Sequence, residues 1–237
     1  MFAGCAALQQ QPQKVESKQT FTFDFAPKET AKVGSASMVL GLMKPYYAQS
    51  FTSGSGELFK SFQRALGNDF EELIVAKGFN LKGPYLSYDE MVFEDKKRTE
   101  MVIQIEISPE FTAAEGGWKT NVSILGPSYN SYSYEGTVSL VGKINISGYE
   151  PLTNEKIWAK SVQIPNIENI QITTSQKYAR QLNAVEIMQD PNVYNALGKA
   201  LQAQYTGIME KINAHFSIEE FTDLKKEIKE LKAKKGF

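Results

Sequence analysis

Four residues near the start of the chain carry the most specific chemistry in it: Phe2-Ala3-Gly4-Cys5. An apolar residue, two small residues and a cysteine form the box that bacterial lipoprotein signal peptidases cleave. Cleavage leaves a cysteine whose thiol carries diacylglycerol and whose freed amine is acylated. Two or three acyl chains on one residue meet the two-signal requirement for stable membrane anchoring. Cys5 is the only cysteine, so an intrachain disulfide and a multi-cysteine zinc site are both excluded. Only Met1 stands before the box, where a signal peptide is expected to carry a charged stretch and an apolar stretch.

Other reactive residue types are sparse. His215 is the only histidine and lies between Ala214 and Phe216 on a predicted helix. A histidine base needs an orienting partner and a nucleophile within hydrogen-bond reach, and none is readable beside it. A place at a helix end, near the negative pole of the dipole, suits it better. Ser53-Gly54-Ser55-Gly56 precedes a helix but lacks the lysine of a phosphate-binding loop. No acidic calcium loop and no Gly-x-Ser-x-Gly elbow is present. The expectation is a protein that is not an enzyme and holds neither metal nor cofactor.

Two features suggest binding instead. Tyr129, Tyr132 and Tyr134, with Asn130, Ser131 and Trp118 nearby, have the composition of a contact surface for sugars, peptides or proteins, or else they cover a sheet. Glu94-Asp95-Lys96-Lys97-Arg98-Thr99 is a dense charge run. It reads either as a solvated turn or as a cationic fork, Lys96, Lys97 and Arg98, for a carboxylate such as that of sialic acid.

The elements that must position these groups follow from periodicity. The chain has 237 residues, 26 basic and 27 acidic, for a net charge of −1. Such a balance argues against nucleic acid as a partner, and no apolar run approaches the ~20 residues of a membrane span. Residues 6–20 read as a polar tether. Phe21, Phe23 and Phe25 alternate as in a strand, and Ser37–Met43 reads as a buried central strand. Leu58, Phe59, Phe62, Leu66, Phe70, Leu73 and Ile74 form a helical stripe that ends at Lys77-Gly78. Phe79–Glu94 reads as a short strand, a turn at Gly83-Pro84 and one helical turn. Thr99–Ile107 alternates cleanly as a half-buried strand.

Residues 111–135 form either a long loop or a strand pair with an exposed tyrosine face. Val138–Ile146 and Ile157–Ile164 make an antiparallel hairpin with a long connection, broken at Ile164-Pro165. A short helix is expected around Lys177–Ile187. Asp190-Pro191 opens a long helix whose stripe is Val193, Leu197, Leu201, Tyr205, Ile208, Met209 and Ile212. Ser217 and Glu220 form a capping box, and Phe221, Leu224, Ile228 and Leu231 continue as a narrow stripe.

The predicted architecture is α+β: an antiparallel or mixed sheet of about five or six strands with two main helices packed on one face. The predicted divisions are a lipobox remnant and tether over 1–20, a single domain over 21–216, and a C-terminal amphipathic helical extension over 217–237. That extension is expected to serve homo-oligomerisation or docking.

The order of these parts resembles the neuraminyllactose-binding haemagglutinin family of surface lipoproteins from gastric bacteria, as a divergent paralogue. The resemblance rests on the lipobox-like start, the Lys77-Gly78-Phe79 helix exit and the charged turn into an aliphatic strand. It rests also on the hairpin Lys143–Glu155 with its Glu150-Pro151, and on the basic end Lys226–Lys235. It spans roughly residues 50–235. The family implies an outer-membrane or flagellar-sheath lipoprotein, lipid-anchored (palmitate included) through Cys5, and an adhesin role toward host sialylated glycans in virulence. The alternative is a structural lipoprotein that docks on another envelope protein and binds no sugar. The family's sialic-acid motif, Lys-Arg-Thr followed by a lysine pair, stands after the aliphatic strand. Here Lys97-Arg98-Thr99 stands before it and is followed by Glu100-Met101.

Overall fold

A computed structural model describes residues 17–51, 56–126 and 130–236. Cys5 and Tyr129 lie outside the described residues, as do Ser53, Gly54 and Ser55. Among the described residues six strands form one mixed sheet: β1 (Val39–Met43), β2 (Tyr46–Tyr47), β3 (Asn80–Tyr85), β4 (Met101–Asn121), β5 (Ser131–Glu150) and β6 (Glu155–Thr173). Their order is β3-β1-β4-β5-β6, with β2 also beside β4. β1 runs parallel to both β3 and β4. β4, β5 and β6 form an antiparallel meander of very long strands. Helices α1 (Glu57–Ala76), α4 (Pro191–Ala214) and α5 (Ile218–Lys235) are the long ones, and α2 (Phe93–Arg98) and α3 (Ala184–Ile187) are short. The architecture is the predicted α+β class with a mixed sheet.

The core lies between the sheet and the long helices. Met101, Ile103, Ile105 and Ile107 of β4 are fully buried, beside Ile144 and Ile146 of β5 and Val162 of β6. The predicted stripes of α1 and α4 close over them. The start of α4 and the exit of α1 lie where their sequence signals say. Asp190 caps α4 by accepting from the amides of Asn192 and Val193, with Pro191 in the first turn. After α1, Gly78 takes φ +86°, and a Cβ there would sit 2.3 Å from Ser35 Oγ. Only glycine fits that exit.

Several expectations are corrected. Phe21, Phe23 and Phe25 are buried on one side of an extended segment, but the segment joins no sheet. It lies as a strap across α1 and α4. Phe23 packs edge-on against Phe62 at 5.3 Å, and Phe21 sits 5.8 Å from Tyr194. Its backbone is served by helix side chains: Gln202 Nε2 donates to Thr22 O, and the Gln19 amide donates to Asn195 Oδ1. Ser17–Thr20, predicted as part of the tether, are therefore held on α4.

The 111–135 region is the strand-pair alternative, with β4 and β5 paired out to Asn121 and Ser131. Pro165 does not end the second hairpin strand. Leu140 pairs with Ile167 and Gly142 with Ile164, so β6 carries an extra residue at this point. A bulge on an edge strand needs no amide from Pro165. Likewise β3 runs straight through Gly83-Pro84 as the other edge. The hairpin connection is short, Pro151–Asn154. Glu150 Oε2 shapes it by accepting from the amides of Leu152 and Thr153 at 3.0 and 2.6 Å. The helix expected over 177–187 shrinks to α3, since Tyr178 pairs with Tyr132 as an isolated bridge.

The 217–237 segment is no free arm. Phe221, Leu224 and Ile228 of α5 are buried within the chain, with Phe221 stacked among Phe79, Trp158 and Phe216. Lys225 pairs with Glu100 at 3.2 Å and Lys232 with the fully buried Glu150 at 3.4 Å. The stripe expected to bind a second copy is thus occupied by the chain's own core.

Candidate functional site

The helices cover one face of the sheet, and most of the other face is open. At the start of β4 that open face is capped by a small cluster of Met43, Met91 and Val102. Beyond Val102 the strands expose a polar trough of about 370 Å³. Its central rung crosses four strands in register: Tyr46 on β2, Glu106 on β4, Asn145 on β5 and Ser161 on β6. Three of its four side chains are joined by hydrogen bonds. Ser161 Oγ donates to Asn145 Oδ1 at 3.0 Å, and Asn145 Nδ2 donates to Glu106 Oε1 at 3.1 Å. Ser108 Oγ also reaches Glu106 Oε1, at 3.3 Å.

The trough is concave because side-chain size falls along the next rung, Gln104–Ser147–Ala159. Serine and alanine make a low floor. Tyr46 stands on one side and Tyr149, paired across the sheet with Lys156, on the other. Burial, and after it the Glu106 carboxylate, pushes the Tyr46 hydroxyl above its ordinary range. Tyr46 therefore stays a neutral hydrogen-bond donor at physiological pH. Amide, hydroxyl and carboxylate groups between two aromatic rings can satisfy the hydroxyls and apolar face of a sugar.

The residues singled out from sequence fall elsewhere, and in two places. Lys96, Lys97 and Arg98 form the last turn of α2. Lys96 Nζ lies 3.9 Å from the Tyr88 ring centroid and Lys97 Nζ lies 5.9 Å from that of Phe93. Lys97 and Arg98 are exposed. Neighbouring Asp95 is held below the ordinary carboxylate range, first by the Lys82 ammonium at 2.5 Å. Trp118 and Tyr134 face each other across β4 and β5 at the far end of the hairpin, edge to face at 5.5 Å. They close an apolar cavity of about 240 Å³ with Phe111, Ile187, Met188 and Leu197. Tyr132 exchanges backbone hydrogen bonds with Tyr178 at 2.8 and 2.7 Å. The strand path from Met101 to Trp118 is 17 residues, on the order of 50 Å. The cationic run and the aromatic group cannot share one small ligand.

Sequence reasoning missed the trough. Gln104 and Glu106 read correctly as the polar side of a strand, but nothing linear joins Glu106 to Asn145 and Ser161. Register alone brings them together. His215 caps the C-terminus of α4, its amide donating to Ile212 O, as its helix-end position suggested. Among the described residues no group of three or more His, Cys, Asp or Glu is arranged to hold a metal ion. No helix among them is long and apolar enough to cross a membrane.

No protein-family model matches the chain, and no curated protein matches it by sequence. Among solved structures it is similar to a neuraminyllactose-binding hemagglutinin homolog from Helicobacter pylori. That match has a TM-score of 0.58 at 13% identity and covers 89% of this chain and 98% of the other. Protein CT253 from Chlamydia trachomatis matches with a TM-score of 0.34 at 14% identity over 78% of this chain and 98% of its own. Protein XCC0632 from Xanthomonas campestris matches at 0.37 and 8% identity over 81% and 90%. The first likeness is one of fold, and it is the fold that the resemblance read in the sequence implies.

Proposed function

We propose that this chain is the folded domain of a lipid-anchored lipoprotein of the bacterial outer membrane or cell surface. In this reading it binds rather than catalyses, and its ligand is a sialylated glycan held in the trough. The observation that carries the reading is the rung Tyr46–Glu106–Asn145–Ser161, a row of sugar-compatible groups walled by two tyrosines. Lys156, beside Tyr149 at the trough's rim, supplies a cation for the sialyl carboxylate. Lys97 and Arg98 on α2 are the competing cations.

Calorimetric titration with sialyllactose and with lactose tests the ligand and its place together. Asn145→Ala removes one donor and one acceptor, each worth about 1 kcal/mol, so affinity should fall about tenfold or more. Lys97→Ala/Arg98→Ala should leave it unchanged. The reverse pattern moves the site to α2, and no saturable binding by the natural chain refutes the glycan reading. The anchor has a separate test. Cys5→Ser in the precursor should release the protein from washed membranes, and retention would refute lipidation.

A further inference from the structure

The β4–β5 hairpin carries an exposed apolar stretch just past the end of β4. Val122 is 79% exposed, Leu125 is 74% exposed and Ile124 is fully exposed. Isolated aliphatic residues on a surface need no explanation, but three within four residues at the end of a projecting ribbon do. β6 leaves the ribbon at Thr173, opposite Glu135, and the last support is the Tyr132–Tyr178 bridge. Among the described residues no further strand pairs with the ribbon beyond it.

Three amides of the tip are paired within it. The Ser123 amide donates to Asn130 Oδ1 at 3.0 Å, the Leu125 amide to Ser123 Oγ at 3.1 Å and the Gly126 amide to Ser123 O at 3.2 Å. Pairing these three amides lowers the cost of taking this part of the turn out of water. No charged residue stands between Val122 and Gly126.

The tip also lies at the same end of the molecule as Ser17. Tyr178, paired with Tyr132, donates its hydroxyl to Asp190 Oδ2 at 2.7 Å, and Asp190 caps α4. One turn into α4, Asn195 Nδ2 donates to Ser17 O, and Lys18 donates to Gln189 just ahead of the cap. Ser17, the first described residue, therefore lies at this end.

We propose that Val122, Ile124 and Leu125 insert into the interfacial region of a lipid bilayer, as a second contact beside the lipid anchor. The orientation rests on the anchor reading given above, whereas insertion itself does not need the lipid. Three exposed aliphatic side chains with no charge among them suit acyl chains. Tyr132 and Trp118, a few residues behind it, are the residue types that favour the headgroup level. The contact holds the ribbon's end at the membrane and carries the trough, roughly 40–50 Å back along the strands, away from it.

The test uses the full chain carrying Cys5→Ser, which has no lipid and no other cysteine. It is mixed with vesicles of phosphatidylethanolamine and phosphatidylglycerol, and partitioning is measured by co-sedimentation. Val122→Ser/Ile124→Ser/Leu125→Ser should lower the partition coefficient about tenfold or more with an unchanged far-ultraviolet spectrum and Tm. An environment-sensitive dye on Ile124→Cys should shift to the blue on adding vesicles. The same dye on Glu230→Cys, exposed on α5 beside Lys232 at the Glu150 end, should not. Partitioning should survive about 0.5 M salt, because no charge carries it. Failure of the Cys5→Ser chain to bind vesicles, or equal binding by the tip variant, overturns the proposal, and the latter result points to a protein on the tip. The glycan titration is done in solution without membranes, so either reading can fail without the other.

Discussion

Two glycines of α4 offer the same substitution with opposite expected signs. Gly207 is exposed, and a Cβ added there meets nothing within 4 Å. Alanine in a helix interior is better than glycine by about 1 kcal/mol. For a chain of this size Gly207→Ala should therefore raise Tm by roughly 2–4 °C. Gly198 is buried under the strap. A Cβ there would lie 2.1, 2.3 and 2.5 Å from Phe21 Cε2, Cδ2 and Cζ, atoms of one rigid ring. The ring must leave its seat beside Tyr194, and losing a buried phenylalanine costs about 3–5 kcal/mol. Set against the ~1 kcal/mol helix gain, Gly198→Ala should destabilise by about 2–4 kcal/mol. Tm should then fall by roughly 4–16 °C. Differential scanning calorimetry gives both signs, and limited proteolysis should show faster cleavage within residues 17–25 of the Gly198 variant alone. A rise in Tm for both variants would refute the seating of Phe21 on α4, and with it the whole account of the strap.

Asp190 is 2% exposed and collects five donors: the Ser175 amide and hydroxyl, the Tyr178 hydroxyl and the Asn192 and Val193 amides, at 2.7–3.4 Å. Asp190→Ala leaves those donors in the interior without an acceptor. The expected loss is about 3–5 kcal/mol, read as a Tm lower by roughly 6–20 °C; a change under about 2 °C would remove the cap from the argument. Glu186 is held at about 2, first by the Arg180 guanidinium and then by the Asn183 amide. Its folded value lies below its unfolded one, so its contribution is present above the ordinary carboxylate range of about 4.3 and is lost as pH falls toward 2. The Tm gap between the natural chain and Glu186→Gln should therefore close between pH 5 and pH 2, and a gap independent of pH would count against this pairing.

The parts of the fold that were legible in the sequence are those set by local chemistry. Met101, Ile103, Ile105 and Ile107 alternate because β4 has one buried face, and the α1 and α4 stripes repeat at helical spacing. Phe21, Phe23 and Phe25 show where local reasoning ends. Alternation reports that one side of an extended segment is buried, and it says nothing of whether the partner is a strand or a pair of helices. Ser217 and Glu220 make a similar point. Ser217 does accept from the Glu220 amide, but the Glu220 carboxylate goes to Trp158 Nε1 at 2.9 Å and Lys160 at 2.7 Å. The full reciprocal box is at Asn183 and Glu186, inside a stretch too irregular to flag it. Pro165 looked like a stop because the bulge that accommodates it depends on β5. The trough was hidden for the same reason. Glu106, Asn145 and Ser161 are polar residues on exposed strand faces, and only a register set by three strands turns them into neighbours.

The place of β1 in the sheet has a consequence for the life of the chain before it is folded. Val39–Met43 contains no charged or polar side chain, and both of its neighbours, β3 and β4, come later in the sequence. Leu40 pairs with Met101, 61 residues further on. At about 5–20 residues per second of synthesis, that partner follows roughly 3–12 s behind. Until β3 emerges both edges are open, and until β4 follows one still is; a short, uncharged, aliphatic strand in that state is the kind of segment that seeds aggregation. A strand buried in the finished sheet is thus one in need of shelter while the chain is made.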